Sequence, residues 1–279
     1  MLRIASRLSL AHREVQQVAK EEKADLVGKL ARKLAAAGAD MIQISSGPYP
    51  SGMRVPLVFL INAVQAAVDL PLCIETVDPD AMRAALEVLV RPAVLRGPHA
   101  GPRLMESIIP MALDKPATLA VRLGVPAVPV GADERFSLAM NVLDRALFLK
   151  FPFERIMIDP VVMPLSGRWG QEYARQCLVL LQRLEQSADP PVRTLVNFDD
   201  FLFDLPDDER SLYGRTYLAL LLERGLDAAV FDLVDRELRE TVRAALTLHG
   251  VLPFETAGKP AVAAADGGAT ANNGAPRAS

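Results

Sequence analysis

The residues of this chain best placed to do chemistry stand where short β-prone runs give way to loops. Ser9 follows the first such run, and Gln43, Ser45 and Ser46 close the second. Glu75 and Thr76 end the third and Arg96 the fourth, while Asp159, the pair Asp199 and Asp200, and Asp232 follow the sixth, seventh and eighth. Carboxylates predominate. Gathered on one face they can act as acids or bases, hold a metal, or hydrogen-bond a nitrogen heterocycle. Acidic side chains in such places also cap the helices that follow, and Asp78 and Asp232 fit that role best.

Other chemistries find less support. His12, His99 and His249 form no HxH or HExxH spacing, so no intrinsic metal site is expected, and His99 reads as a solvated loop residue. No GxSxG elbow marks a nucleophile. The two cysteines, Cys73 and Cys177, lie in apolar segments without CxxC spacing and read as reduced core thiols.

The elements that must position these residues alternate regularly. Candidate strands cover residues 2–5, 41–45, 72–75, 93–96, 117–122, 155–158, 194–197 and 228–231, each followed by a helical pattern. One helix is expected over Arg13 to Ala37 and another from about Val55 to Val68, and Pro79 and Pro102 suit first turns of later helices. Eight βα units in about 250 residues can close a parallel (β/α)8 barrel, whose working face lies at the C-terminal ends of the strands. A doubly wound open sheet is the alternative, but neither GxGxxG after the first strand nor GxxxxGK[ST] occurs.

Composition agrees with one large globular domain: 279 residues, 51% hydrophobic and 23% charged. The 31 basic and 34 acidic side chains are not segregated, so nucleic acid is not an expected partner. No apolar run is long enough to span a bilayer and the first residues lack a signal-peptide pattern, which makes the cytoplasm the expected address. The barrel is expected over residues 1–253. From about Phe254 the chain turns to Ala, Gly and Asn, and residues 254–279 read as a disordered tail.

Several segments together resemble the methyltetrahydrofolate:corrinoid/iron–sulfur protein methyltransferases, a pterin-binding barrel family whose fold is shared with dihydropteroate synthase. They are GADMIQISSGPYP, DLPLCIETVDPDAMRAALEV, ADERFSLAMNVLDRA, IMIDPVVMPLSG and RSLYGRTYLALLLERGLDAAVFDLVDRELRE, running from about residue 38 to 240. The resemblance implies a (β/α)8 barrel of the pterin-binding type that takes a tetrahydrofolate derivative as substrate. It further implies methyl transfer from methyltetrahydrofolate to the cobalt of a corrinoid carried by a separate partner protein, and a homodimer.

Residue by residue, the match is uneven. The aspartate of the family's IDP motif is retained as Asp159, expected to contact the pterin, and a downstream arginine matches Arg210. Glu75 stands where the family has Asp, and Arg96 where it has Asn. Asp200 replaces a pterin-contacting Asn and is the residue expected to act at N5, while Ser6 and Ser9 replace polar groups of a GERIN-like segment. Glu75 is one methylene longer than Asp, and Arg96 brings a permanent charged fork that Glu75 can pair across neighbouring strands. Three functions follow: a folate-dependent methyltransferase, an altered or inactive barrel that regulates or binds a corrinoid protein, or an enzyme on a different small ligand.

Overall fold

A computed structural model of the protein describes residues 1–254 apart from 50, 100–101 and 125–126. The expected tail, from residue 255 onward, therefore lies outside the described residues. The strands are β1 (Leu2–Ser9), β2 (Met41–Ser45), β3 (Leu72–Glu75), β4 (Ala93–His99), β5 (Ala117–Arg122), β6 (Ile156–Asp159), β7 (Leu195–Asn197) and β8 (Ala228–Phe231). All pair in parallel in the order β6-β5-β4-β3-β2-β1-β8-β7. The two ends of that ladder meet through a single bridge, Ile158 to Thr194, which closes the barrel. Strands β1 and β4 run further than the sequence suggests because each pairing carries an irregularity, between Ala5 and Leu8 and between Arg96 and His99.

Outside the sheet lie α1 (Arg13–Lys20), α2 (Ala24–Ala36), α3 (Arg54–Ala67), α4 (Pro79–Val88), α5 (Pro102–Leu113), α6 (Ala132–Phe148), α7 (Gly170–Glu185), α8 (Asp207–Glu223) and α9 (Arg236–Leu248). The single helix expected over Arg13 to Ala37 is two. The first ends in a Schellman turn: Glu22 N–H donates to the Ala19 carbonyl and Lys23 N–H to the Val18 carbonyl, with Glu22 at φ +50°. A glutamate holds the left-handed position that glycine usually takes, so the sequence carries no stop signal there. Asp78 caps α4 as expected, accepting from the N–H groups of Asp80 and Ala81, with Pro79 in the first turn. Asp232 does not cap α9. That role belongs to Asp235, which accepts from Glu237 and Leu238, because the helix starts only at Arg236.

Two apolar cores result. The larger lies between sheet and helices, and the smaller fills the barrel with Ile4, Met41, Cys73, Val94, Ala120, Met157, Leu195, Ala228 and Val230. Burial pushes the Cys73 thiol up to about 12 and the Cys177 thiol up to about 11, which makes both poor nucleophiles.

Candidate functional site

Strand geometry builds the mouth directly on the inner core. Side chains alternate faces with period two, so the residue two beyond each inward apolar side chain also points into the barrel, one layer higher. Applied to Ile4, Met41, Cys73, Val94, Ala120, Met157, Leu195 and Val230, that step gives Ser6, Gln43, Glu75, Arg96, Arg122, Asp159, Asn197 and Asp232. Every strand thus changes from apolar to polar at the same level.

Four of these form one network. Parallel register sets Glu75 beside Arg96 and Arg122 beside Asp159. Arg96, 1% exposed, reaches Glu75 Oε1 through Nη1, while its Nε donates to Asp159 Oδ2 at 2.8 Å and its Nη2 lies 2.7 Å from the same oxygen. Gln43 Nε2 donates to the other Glu75 oxygen at 2.8 Å. The pair expected from the sequence therefore exists, but its partner list is longer. Burial alone would lower the pKa of Arg96, yet Glu75, Asp159 and Asp200 outweigh it and hold the guanidinium firmly charged.

Asp159 is 0% exposed, and both of its oxygens are engaged: Oδ2 by Arg96 and Oδ1 by the Val161 N–H at 2.9 Å. The Arg96 guanidinium covers the carboxylate that the sequence reading assigns to direct ligand contact. Val161 holds a left-handed φ of +58°, unusual for a β-branched residue, so the turn after β6 is fixed at a conformational cost.

Asp200 closes the network on the far side of the barrel's seam. It sits in a 3-10 turn after β7, accepts from Asn197 Nδ2 at 3.1 Å, and comes no nearer to Arg96 Nη2 than 4.0 Å. Its side chain is 39% exposed and faces the opening. Desolvation, aided by Glu75 and Asp159, pushes its pKa up to about 6 against the pull of Arg96 and Arg122. Arg96 belongs mainly to Asp159 and Glu75, so among the described residues Asp200 has no cation nearer than 4.0 Å.

Arg122 was not singled out by the sequence reading. Its guanidinium is 20% exposed, with Nη1 3.7 Å from Glu75 and Nε 3.8 Å from Asp159, and its buried Nε has no hydrogen-bond partner among the described residues. The two-residue step up from Ala120 is the signal that finds it.

A second cluster occupies the β1–β8–β7 side. Arg7, at φ +93° in the irregular stretch of β1, grips Asp232 through Nε at 2.7 Å and through Nη2. Asp199 sits nearby with a pKa raised by burial and by Asp232, against a hydrogen bond from Ser6. Arg210 joins this side. Its Nη1 donates to the Leu202 carbonyl at 2.7 Å, and its charge favours ionised Asp199, so the structure does not bring it to Arg96. Ser46 and Thr76 hydrogen-bond each other at 2.9 Å below the rim.

Among the described residues no group of three or more His, Cys, Asp or Glu side chains is arranged to hold a metal ion, and no helix is long and apolar enough to cross a membrane. A guanidinium with an Nε unused among the described residues and a carboxyl whose pKa is pushed up to about 6 are groups whose chemistry suits a small polar ligand.

No family model matches the chain. It is 24% identical over 255 residues to a curated methylcorrinoid:tetrahydrofolate methyltransferase of Eubacterium limosum, a match covering 90% of this chain and 92% of that protein. Among solved structures it is similar to the dihydropteroate synthase of Xanthomonas albilineans in complex with indole-2-carboxylic acid and 6-chloroguanine, with TM-score 0.64, 17% identity and 90% and 92% of the two chains covered. The dihydropteroate synthase of Coxiella burnetii in complex with pteroic acid gives TM-score 0.68 at 15% identity, covering 90% and 94%. The resemblance read from the sequence is borne out, and the fold is the (β/α)8 barrel of the dihydropteroate synthases.

Proposed function

We propose that this protein binds a reduced folate in the barrel mouth and moves a methyl group between its N5 and the cobalt of a corrinoid carried by a partner protein. Asp200 carries the reading. A carboxyl that faces the opening, lacks a close cation and has a pKa of about 6 suits a ligand atom whose positive charge changes during reaction. As methyl leaves N5 that nitrogen needs a proton, and as methyl arrives it becomes cationic and must lose one. Asp200 as an acid donates to N5, and as a carboxylate it stabilises the ammonium.

The relative in Eubacterium limosum is named with methylcorrinoid as donor and tetrahydrofolate as acceptor, the reverse of the direction implied by the sequence resemblance. The same bond is made in one direction and broken in the other, so the proposed role of Asp200 serves both. In this reading Glu75 and Arg122 line the pocket, Arg96 and Asp159 form its floor, and Arg210 holds the loop that carries Asp200. A homodimer remains part of the proposal on the resemblance alone.

One observation favours a second reading: the covering of Asp159 by Arg96 suits a barrel that keeps a corrinoid partner but has lost pterin binding. Calorimetric titration of the native protein with tetrahydrofolate and 5-methyltetrahydrofolate separates the two. Saturable binding, weakened at least about tenfold in Asp200→Ala, together with methyl exchange with a reduced corrinoid protein, is the expected result; a tenfold loss corresponds to about 1.4 kcal/mol. Native protein that binds neither folate sinks the proposal.

A further inference from the structure

Arg122 stands apart from the other charged groups of the mouth because, among the described residues, it has no ion pair closer than 3.7 Å. Arg96 donates through Nε to Asp159 and through Nη1 to Glu75 at hydrogen-bond distance, whereas Arg122 reaches the same carboxylates only at 3.7 and 3.8 Å. Its Nε is buried without a partner among the described residues, although a buried N–H left unpaired is costly. The guanidinium lies at the end of β5, one strand from Asp159, with a fifth of its surface open to the mouth. It is also close enough to Asp200 to favour that group's ionised form. A donor fork whose Nε is unused among the described residues therefore sits near a carboxyl that can take or give a proton.

We infer that Arg122 is a specificity-determining residue that donates to a ring carbonyl oxygen of the ligand on the same edge as the nitrogen facing Asp200. The inference rests on the reduced-folate reading and narrows it. In a pterin the C4 carbonyl oxygen and N5 lie side by side on one edge, so a donor and a titratable carboxyl placed together match that edge. Asp159 cannot read the ligand because Arg96 covers it, which leaves recognition to the groups that retain capacity. Replacing the carbonyl by an amino group sets donor against donor, and the guanidinium, always charged, cannot adapt by losing a proton.

The test compares tetrahydrofolate with its 4-amino-4-deoxy analogue on the native protein, Arg122→Met and Arg122→Lys. Native protein should prefer the 4-oxo ligand by about 10- to 100-fold, the worth of a hydrogen bond to a charged donor. Arg122→Met should bind the two within about threefold of each other, and Arg122→Lys should restore part of the preference. A merely structural arginine would weaken both ligands alike and leave their ratio unchanged, which overturns the inference while the folate reading stands. Equal binding of the two ligands by the native protein overturns it too, without relying on any variant. Native protein that binds neither ligand overturns the folate reading and this inference with it.

Discussion

Among the described residues two arginines are wholly buried, and they are buried in opposite ways. Arg96, in the barrel mouth, is wrapped by carboxylates that keep it charged. Arg135, on α6, meets only neutral groups: it donates to the carbonyls of Pro160 at 3.0 Å, Val130 at 3.0 Å and Tyr173 at 3.3 Å and stacks on the Tyr173 ring at 5.7 Å. Burial lowers the pKa of Arg135, with only partial relief from Cys177 and the nearby tyrosines. Charge compensated by charge leaves a polar layer that can exchange partners with a ligand. Charge compensated by carbonyls makes a strut, tying the β6–α7 turn to the start of α6.

The sharpest way to break this contrast is Asp159→Ala. It leaves the buried Arg96 guanidinium short of a carboxylate, and should cost about 3–5 kcal/mol in denaturant unfolding. A cost below about 1 kcal/mol, the scale of exposed ion pairs, would show that the network is looser than its geometry.

Arg135→Met probes the strut. It keeps apolar volume but strips donors from three carbonyls, for an expected loss of about 1–3 kcal/mol. Tetrahydrofolate affinity of the folded variant should stay near native, and a large loss would make Arg135 part of the site.

The smallest effect concerns Asp200, the uncompensated member of the mouth. A carboxyl whose folded pKa is raised binds its proton more tightly than the unfolded chain does. Its contribution to stability is therefore present below the ordinary value of 3.8 and is lost as pH rises through about 6. Because the side chain is partly exposed, the loss should be below about 1 kcal/mol. Thermal unfolding of native protein and Asp200→Asn on either side of that window should show the native protein losing ground as pH rises, and parallel curves would contradict the assignment.

Much of this was legible because strand ends follow periodicity. Leu72–Glu75 and Ala228–Phe231 begin and end as the apolar pattern says, and Glu75 meets Arg96 because register fixes neighbours in a parallel sheet. What the sequence hides has physical reasons. The end of α2 carries Gly38 at φ +89°, whereas α1 ends in the same turn with Glu22, so one stop is written in the residue type and the other only in the tertiary fold. Asp159 was legible as a mouth residue but not as a covered one, since which of several carboxylates an arginine reaches depends on side-chain length and tilt. Arg122 is hidden because the run from Ala117 to Arg122 reads as strand to its last residue, and only the inward position of Ala120 shows that Arg122 faces the mouth. Asp232 was mistaken for a cap because nothing in the residue order says that Arg7 claims it.

The seam between β6 and β7 gives the barrel a weak side. Elsewhere neighbouring strands pair at three or more positions, but here one bridge and the Ile158 N–H to Arg193 carbonyl bond, at 2.8 Å, join the ends. Above it, the loops are sewn together by Leu165 N–H on the Phe201 carbonyl at 3.2 Å and Ser166 Oγ on the Phe203 carbonyl at 3.2 Å. Asp159 hangs from one lip of this seam and Asn197 and Asp200 from the other. Local opening favours regions with few backbone bonds, and the line that separates Arg96 from Asp200 is the one crossed by the fewest strand-to-strand bonds. The 4.0 Å between those two groups therefore spans the most sparsely bonded joint of the sheet.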